Sequence, residues 1–372
     1  MTRTVIPSAT RNRRHPDGGS PITLTSTPRS AVATVILVGA ALSPVSAQSA
    51  RVAPNPPPSV SRPLDRLPIA ARVRVDSAPD WMAPAPGVLW VTTYRPGALH
   101  RIDTRTNRVT ARVIVGRDPC LGLAVVGGMV WVPACGDGAL AAVDTGTLRV
   151  QRRLSLPLNP QREGFMAATA GSLWVPVRLG ADDSLSRGLA RVDATTGRLV
   201  ATIRLHSGST TVASGFGSVW VAESGVDSVA RVDPRTNTVV ARIKVGGAPK
   251  FLAVGFGSLW VQNRADGSIS RVDPRTNREA ARIATGSPTR AGDLAAGGGA
   301  VWYSVNGAPV IRIDPITNRV THAYVGGSGA DAIRVGDGAI WVADHEHHWV
   351  WRIPVASFGG TAAGQDKTPP GH

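Results

Sequence analysis

The chain has 372 residues, a length at which either two ordinary domains or one closed all-β domain is feasible. Glycine (41) and proline (29) are abundant, and tryptophan (10) outnumbers phenylalanine (5) and tyrosine (3) combined, so many turns around one recurring aromatic position disfavour a helical protein. The net charge of +16 comes from arginines that recur along the chain, a distribution that favours a solvated outer face. We therefore predict no specific nucleic-acid partner.

Residues 1–47 are predicted to be a signal peptide. Basic residues precede an apolar run from Ala31 to Leu42, and Val45-Ser46-Ala47 offers the small residues that a signal peptidase reads. The apolar run is too short to cross a bilayer comfortably, so no membrane span is expected after processing. We therefore predict an exported protein, periplasmic or extracellular.

Two further segments are predicted to lie outside the folded domain. Residues 48–68 are rich in proline, which favours extended, solvated chain, and we expect a linker there. Residues 357–372 contain few apolar side chains and are predicted to be a disordered tail. The folded domain is expected to span residues 69–356.

Within that domain a repeat of about 40 residues occurs seven times. Each copy contains a small-apolar-Trp-apolar pattern, and in the clearest copy four short β-prone runs are separated by turn sequences. Four strands in about 40 residues is the size of one propeller blade. Because the tryptophan recurs in every copy, we interpret it as a packing residue and not as a ligand-stacking row. The repeat tryptophans are Trp90, Trp131, Trp174, Trp220, Trp260, Trp302 and Trp341.

The two ends of the repeat region predict how the ring closes. Ile69 to Val75 matches the last strand of a repeat but precedes any first three strands, whereas the final copy, Ala332 to Val355, lacks its fourth strand. Pairing the two would remove two sheet edges. The sequence therefore predicts an all-β, seven-bladed β-propeller whose last blade is closed by the N-terminal strand.

The only two cysteines, Cys120 and Cys135, bracket the first two strands of the second repeat. A hairpin would place them nearly opposite one another, and in an exported protein this arrangement predicts a disulfide. Two ligands alone do not make a zinc site, and a catalytic thiol is not favoured.

Candidate site residues fall where chain connections line one end of the predicted channel. The densest group is the hairpin Asp344-His345-Glu346-His347-His348, for which a solvated polar turn is the alternative interpretation. Trp81 lies at the entry to an innermost strand and is predicted to face the channel. The ligand-binding candidates are Trp81, Arg162, Glu223, Lys250, Asn263, Arg264, Asp331, Asp344 and His345. Further positions on the same rim are Asp80, Glu163, Arg290 and Asp293.

The repeat motifs resemble those of known bacterial families. Trp-Val-Ala-Glu (220–223) and Trp-Val-Gln-Asn (260–263), each followed by Arg-Val-Asp-Pro-Arg-Thr-Asn, look like the YVTN-type propeller repeat with Trp in place of Tyr. The Gly-x-x-Trp-Val-Ala-Glu form is also similar to repeats of streptogramin (virginiamycin B) lyases. This second resemblance implies an elimination reaction with His and Glu residues and a magnesium ion at the channel mouth, for which His345 and Glu223 are the candidate ligands. The Pro-His entry of those enzymes reads Pro119-Cys120 and Pro249-Lys250 here.

Three functional hypotheses follow. The favoured one is a monomeric, exported, non-catalytic propeller that needs no cofactor and binds a small molecule, peptide or envelope component at the channel mouth. The alternative is a metal-dependent lyase of the streptogramin lyase type. The third is a scaffold for a protein complex. A phosphate-binding glycine loop, a nucleophile elbow and a recognisable catalytic triad are all missing from the sequence, so whether the protein is an enzyme stays open.

Overall fold

The computed structural model describes residues 59–157, 163–179, 187–206, 208–287 and 292–359. The predicted signal peptide, residues 48–58 of the predicted linker and residues 360–372 of the predicted tail lie outside the described residues. Within the described ranges the chain forms seven β-sheets, antiparallel except for one added parallel strand, and three short 3-10 turns. No helix in this part of the chain has the length and apolar character needed to span a bilayer.

Each sheet contains one blade. The four strands of a blade follow one another from the innermost, at the channel, to the outermost. Blade 1 consists of Pro79–Ala85, Val88–Thr93, Ala98–Asp103 and Arg108–Ile114, and blade 2 of Ala124–Val126, Met129–Ala134, Ala139–Asp144 and Val150–Ser155. Blade 3 consists of Ala167–Thr169, Ser172–Arg178, Arg187–Asp193 and Leu199–Leu205, and blade 4 of Ser209–Gly215, Ser218–Glu223, Ser228–Asp233 and Thr238–Lys244. Blade 5 consists of Pro249–Gly255, Ser258–Asn263, Ser268–Asp273 and Arg278–Ala284, and blade 6 of Asp293–Gly297, Ala300–Val305, Ala308–Asp314 and Arg319–Val325. Blade 7 consists of Ala330–Gly336, Ala339–Asp344, Trp349–Pro354 and Ala71–Arg74. The 3-10 turns are Leu64–Arg66, Cys135–Asp137 and Val355–Phe358.

The seven blades form a closed ring. The innermost strand of each blade contacts that of the next, and the innermost strand of blade 7 contacts that of blade 1. The second and third strands are almost fully buried, whereas the outermost strands alternate between exposed and covered residues. The seven-bladed β-propeller predicted from the repeats is confirmed, and the core lies between neighbouring blades.

The predicted closure of the ring is also confirmed. Ala71–Arg74 pairs antiparallel with Trp349–Pro354, with Val73 opposite Val350. A second contact fastens blade 7 to blade 1, because Asp337 Oδ2 accepts hydrogen bonds from the Gly87 amide (2.9 Å) and the Thr104 hydroxyl (2.6 Å). The first and last parts of the repeat region therefore share one sheet.

The structure differs from the predicted domain ends at both boundaries. Ser61–Pro63 pairs in parallel with the outermost strand of blade 6, and Leu67 is buried, so the end of the predicted linker is part of the ring. At the other end Phe358 packs edge-on against Trp302, with 4.9 Å between ring centroids. Leu67 and Phe358 belong to one apolar cluster with Trp302 of blade 6, a tertiary contact that composition does not reveal.

The repeat tryptophans have the predicted packing role. Six of them are fully buried, and Trp90 is 2% exposed. In blades 4 to 7 the indole N–H donates to a glycine carbonyl five residues earlier, as from Trp220 to Gly215 at 3.0 Å. In these four blades the indole ring thus fills the space between neighbouring blades while its one polar group is satisfied.

The aspartates of the Asp-Pro-Arg-Thr-Asn turns stabilise these turns by accepting hydrogen bonds from backbone amides. Asp273 Oδ1 accepts the Arg275 amide at 2.8 Å, and this hydrogen bond lowers the pKa of the carboxyl group. Asn277 closes the turn in the left-handed region with φ of 55°. The aspartates with a lowered pKa at this position are Asp103, Asp144, Asp193, Asp233, Asp273 and Asp314.

Some of the repeated arginines are not simply solvated, as the sequence suggested, but join neighbouring blades. Arg231 lies over the Trp220 ring (5.0 Å) and donates to Pro274 O (2.7 Å) and Asn277 Oδ1 (2.9 Å) of the next blade. Equivalent contacts run from Arg191 to blade 4 and from Arg271 to blade 6. The turn asparagine therefore has two roles, one in its own backbone and one as an acceptor between blades.

Replacing Asn277 with glycine is expected to cost about 1 kcal/mol, because the guanidinium of Arg231 loses one acceptor while the left-handed backbone is kept. Asn277→Ala should cost roughly 1 kcal/mol more, since alanine is strained at positive φ. Urea unfolding followed by tryptophan fluorescence measures both. Asn107→Gly is the matched control: Asn107 occupies the same turn position at φ of 56°, but its Oδ1 accepts no hydrogen bond from any described residue. Equal losses at the two sites would contradict the inter-blade role.

The predicted disulfide between Cys120 and Cys135 is present, with 5.8 Å between the Cα atoms. Two backbone hydrogen bonds hold the flanking chains together, from the Cys120 amide to Pro133 O and from the Cys135 amide to Asp118 O. The bond ties the entry of the innermost strand of blade 2 to the end of its second strand. It lies close to the rim on which the site candidates were predicted.

Candidate functional site

A cavity of about 330 Å³ opens at one end of the channel. Its walls come from the two kinds of connection that the sequence placed there, the entries to innermost strands and the hairpins between second and third strands. Blades 1, 5, 6 and 7 all contribute described residues, and Glu163 contributes from the entry to blade 3. The lining residues are Asp80, Trp81, Tyr94, Glu163, Phe251, Gly292, Asp293, Asn306, Gly329, Ala332, His345 and Glu346.

Three aromatic rings close the channel beneath this cavity, which we call the aromatic plug: Trp81, Phe165 and Phe251. The centroid of Phe165 lies 5.0 Å from that of Trp81 and 5.4 Å from that of Phe251, and Trp81 and Phe251 are 6.4 Å apart. The rings come from the entries to blades 1, 3 and 5, and side chains of alternate blades can meet in this way only across the channel. All three are buried.

Local irregularities in the strands aim these rings inward. The pairing of the first two strands of blade 1 shifts register between Pro79 and Met82, and that of blade 5 shifts between Pro249 and Leu252. Trp81 and Phe251 lie inside these two bulges. The backbone of Trp81 is satisfied by the buried Thr92 hydroxyl, at 3.3 Å from its amide. A bulge re-aims a side chain that regular alternation would send elsewhere.

Phe165 is fixed by the backbones of both neighbouring blades. Its carbonyl accepts the Val212 amide of blade 4 at 2.9 Å, and the Gly122 amide of blade 2 donates to Gly164 O at 2.8 Å. A Cβ on Gly122 would lie 1.8 Å from the Phe165 ring, so glycine is required there. Phe165 is therefore held in place by backbone contacts on both sides.

A buried ion pair supports the plug from blades 6 and 7. Asp293 accepts a hydrogen bond from the Arg334 guanidinium and from the amides of Leu294 (2.7 Å) and Ile333 (3.1 Å). Burial raises the pKa of Asp293, and Arg334 and the two amides offset part of that effect. The guanidinium also lies 4.1 Å above the Phe165 ring. Asp293 thus lines the cavity while its carboxylate is paired with the Arg334 guanidinium.

The upper wall of the cavity carries further carboxylates. Asp80 Oδ1 lies 4.0 Å from His345 Nε2, Glu163 pairs with Lys250 at 3.3 Å, and Glu346 contacts a serine hydroxyl. The pKa of Tyr94 reflects this environment. Burial, and then the negative charges of Asp80, Glu163 and Asp118, raise this pKa to about 12. Among the described residues, the cavity therefore has an apolar floor and an upper wall that carries carboxylates.

Two of the ligand-binding candidates, Trp81 and His345, line the cavity directly. Lys250 stands beside it, paired with Glu163 and positioned 5.4 Å from the Phe251 centroid. Asp331 lies in the innermost strand of blade 7, but its side chain is outside the described part of the structure. Arg162 and Arg290 also lie outside the described residues.

Three other candidates, Glu223, Asn263 and Asp344, are each the last residue of a second strand. Each is buried and serves its own blade. Glu223 accepts from Arg242 Nε (3.0 Å) and the His206 amide (2.9 Å), Asn263 donates to two serine hydroxyls, and Asp344 binds His347 Nδ1 at 2.8 Å. Arg264, the next residue after Asn263, is half-buried, and its amide donates to a loop carbonyl.

The residues do not fit the magnesium site that the lyase resemblance implies. Glu223 is fully buried with its carboxylate against the Arg242 guanidinium, a neighbour that disfavours a second cation. His345 faces the cavity beside Asp80 instead. Within the described ranges no three His, Cys, Asp or Glu side chains are grouped so that they could hold a metal ion. We therefore derive no chemical step through magnesium.

Sequence reasoning missed Tyr94, Phe165, Phe251 and Arg334. Phe251 follows Lys250, and Phe165 lies two residues after Glu163, so sequence reasoning recognised these two connections but did not select the aromatic residues in them. Arg334 lies within an innermost strand among apolar residues, and an arginine in that position indicates a buried partner or a site. The aromatic pattern Trp81, Phe165 and Phe251 at three strand entries was available in the sequence.

Comparisons with known proteins support the β-propeller fold of this chain. Neither the scan against protein-family models nor the search of curated proteins finds a match. Three solved structures are similar: the Pan2 WD40 domain of Neurospora crassa (TM-score 0.57, 13% identity, 75% of this chain and 90% of that one), BamB from Moraxella catarrhalis (0.56, 14%, 77% and 97%) and the computationally designed Ika8 protein (0.55, 15%, 76% and 99%). The chain shares the β-propeller fold with all three. At these identities the likeness extends to fold alone.

Proposed function

We propose that this protein is an exported, non-catalytic binding protein that holds a small molecule, a peptide segment or an envelope component in the cavity at the channel mouth. One observation carries the proposal. The cavity is closed below by the aromatic plug and is lined by residues that differ from blade to blade, which breaks the pseudo-symmetry of the ring. A purely structural channel end would have no need of such differences.

The dimensions and chemistry of the cavity support this. A volume of about 330 Å³ falls within the range of small-molecule sites, and an apolar floor with a few polar groups above it is their usual composition. The disulfide between Cys120 and Cys135 supports export, because such bonds persist in oxidising compartments. The YVTN-type repeat resemblance agrees with a bacterial exported propeller, and we propose separately that the protein acts as a monomer.

The lyase alternative has no comparable support. Of its two candidate ligands, Glu223 is committed to Arg242 and to the backbone of His206, inside blade 4. Eliminations need a base near the abstracted proton and an electrophile near the developing enolate. The contacts of Glu223 instead explain its burial as part of the blade.

The proposal is tested by blocking the mouth. Asn306 is an exposed cavity residue in the hairpin between the second and third strands of blade 6, so Asn306→Trp should fill the opening without disturbing the core. We expect a ligand-observed NMR screen of a fragment library to find compounds that bind the natural protein and lose binding in Asn306→Trp.

The matched control is Ile316→Trp. Ile316 is 87% exposed in a turn at the opposite end of the same blade, so it receives the same side chain far from the mouth. Fragments that bind all three proteins equally, or a screen without any binder, would contradict the proposal.

A further inference from the structure

We infer that the end of the ring opposite the mouth binds the surface of an anionic lipid membrane. This far end consists of the turns that join first to second strands and third to fourth strands within the blades. All of these turns lie within the described residues, whereas residues 158–162, 180–186, 207 and 288–291 belong to connections at the mouth end. The far end is therefore a second surface, separate from the mouth cavity.

Exposed arginines gather at the far end. They occupy the turns between third and fourth strands and the first position of the strand that follows. The side chains of Arg235 and Arg275 are 88% and 90% exposed, so their guanidinium groups are open to solvent. The exposed arginines of these turns are Arg105, Arg108, Arg149, Arg198, Arg235, Arg275, Arg278 and Arg319.

The far end stays positive after its carboxylates are counted. Its described turns hold seven aspartates, the six turn aspartates given above and Asp337. Five half-buried arginines, each two residues before a turn aspartate, add to the eight exposed ones, so the described residues here carry six more arginines than aspartates. Glu279, beside Arg278, is paired with Arg282. The half-buried arginines are Arg101, Arg191, Arg231, Arg271 and Arg312.

The segments that flank the described chain do not reverse this balance. Residues 48–58 and 360–372 contain Arg51, Asp366 and Lys367 as their only arginine, lysine, aspartate or glutamate side chains. The positive charge of the far end therefore belongs to the folded ring. Basic side chains near an anionic lipid surface each contribute about 1 kcal/mol of attraction.

Exposed apolar side chains lie among these arginines. Of eight large hydrophobic residues that are exposed in the described chain, six lie in far-end turns or in the first three positions of the outermost strands that follow. Ile316 is 87% exposed and occupies the turn position that arginine holds in blades 1, 4 and 5. A surface that mixes arginines with exposed apolar groups is typical of proteins that lie on membranes. The six residues are Val109, Leu199, Val200, Phe216, Val240 and Ile316.

Phe216 is exposed in a backbone conformation that disfavours it. Its φ is 55°, in the left-handed region, and the residue is 41% exposed. Phe256 repeats this conformation in blade 5, whereas Gly127, Gly298 and Asp337 hold the position in other blades. Glycine would make the turn without strain, and strained positions concentrate at binding sites. The exposed ring of Phe216 therefore has a role at the surface that the fold does not require.

A groove of about 530 Å³ runs between Phe216 and Phe256, and its wall includes Arg271 and Arg275. Asp273 lies in the same wall, where its carboxylate accepts the Arg275 amide and lies 3.6 Å from the Arg275 guanidinium. A lipid phosphate can approach that guanidinium from solvent. A soluble polyanion would use the arginines and leave the apolar side chains in water, whereas a bilayer surface buries both. The lipid surface is therefore the partner that uses both features.

The experiment measures binding to vesicles of phosphatidylcholine, alone or mixed with about one-third phosphatidylglycerol, by co-sedimentation at physiological salt. We expect at least about tenfold tighter binding to the anionic vesicles. Arg235→Gln with Arg275→Gln should weaken that binding about tenfold, because two exposed guanidinium groups are lost. The matched control is Arg95→Gln with Arg204→Gln, which removes the same charge from exposed positions toward the mouth end and should change little.

A second double variant tests the apolar contribution. Phe216→Gly with Ile316→Ser should weaken binding to anionic vesicles about tenfold, since both side chains leave the interface. Its binding to soluble heparin should equal that of the natural protein, because every arginine is kept. Urea unfolding should show no loss of stability, since glycine relieves the strained turn.

Three results would overturn the inference. One is no preference for the anionic vesicles. The second is an equal loss in the two arginine double variants, which would mean that vesicle binding follows net charge and not the far end. The third is unchanged vesicle binding in Phe216→Gly with Ile316→Ser, which would make the far end a surface for soluble polyanions. Asn306→Trp should leave vesicle binding unchanged, so the inference and the proposed function fail independently.

Discussion

Replacing Val73 with aspartate is expected to destabilise the whole ring by about 3–5 kcal/mol. Val73 is 4% exposed and lies opposite Val350 in the pairing that closes blade 7. Its side chain packs in the apolar layer between blades 7 and 1, among Met82, Leu89 and Trp341. A carboxylate there would lose its hydration without a partner, and the closing strand would leave the sheet.

The matched control is Arg72→Asp, which introduces the same residue at the neighbouring exposed position of the strand. It should change stability by no more than about 0.5 kcal/mol. Urea unfolding of the two variants, followed by tryptophan fluorescence, gives the comparison. If Val73→Asp unfolds at the urea concentration of the natural protein, the N-terminal strand does not close the ring.

The repeat explains why the fold could be predicted so fully. Each blade contributes the same tryptophan, the same Asp-centred turn and the same four strands, so errors in one copy are corrected by the others. The incomplete last copy and the lone N-terminal strand then left only one way to close the sheet. Ser61–Pro63 and Phe358 lie outside the predicted range of the propeller because they belong to no repeat and reach blade 6 through contacts distant in sequence.

The site was harder because it depends on departures from the repeat. Regular alternation predicts the direction of a side chain only while the strand pairing is regular, and Trp81 and Phe251 lie in bulges. Glu223 and Asp344 are candidates from sequence because they are charged residues at the rim. Both make hydrogen bonds within their own blades. The end of the ring and the inward position of Trp81 could be predicted from sequence, but not the inward positions of Phe165 and Phe251.

Removing the carboxylate of Asp293 should have an effect of similar size, about 3–5 kcal/mol in Asp293→Ala. Asp293 is 2% exposed and binds Arg334, whose side chain is 16% exposed and lies over Phe165. Without the carboxylate, the guanidinium is left charged and largely desolvated against the plug. The amides of Ile333 and Leu294 lose their acceptor as well. Thermal and urea unfolding measure the loss.

Two comparisons separate the buried charge from loss of packing. In the double variant Asp293→Ala with Arg334→Met, no unpaired guanidinium remains, so at least half of the lost stability should return even though the carboxylate is still missing. Glu279→Ala breaks the ion pair with Arg282, an exposed pair at 2.8 Å on the outermost strand of blade 5, and should cost under about 1 kcal/mol. If Asp293→Ala costs no more than Glu279→Ala, the ion pair does not support the floor of the cavity. If the double variant recovers nothing, the stabilisation comes from the backbone amides and not from the charge of Arg334.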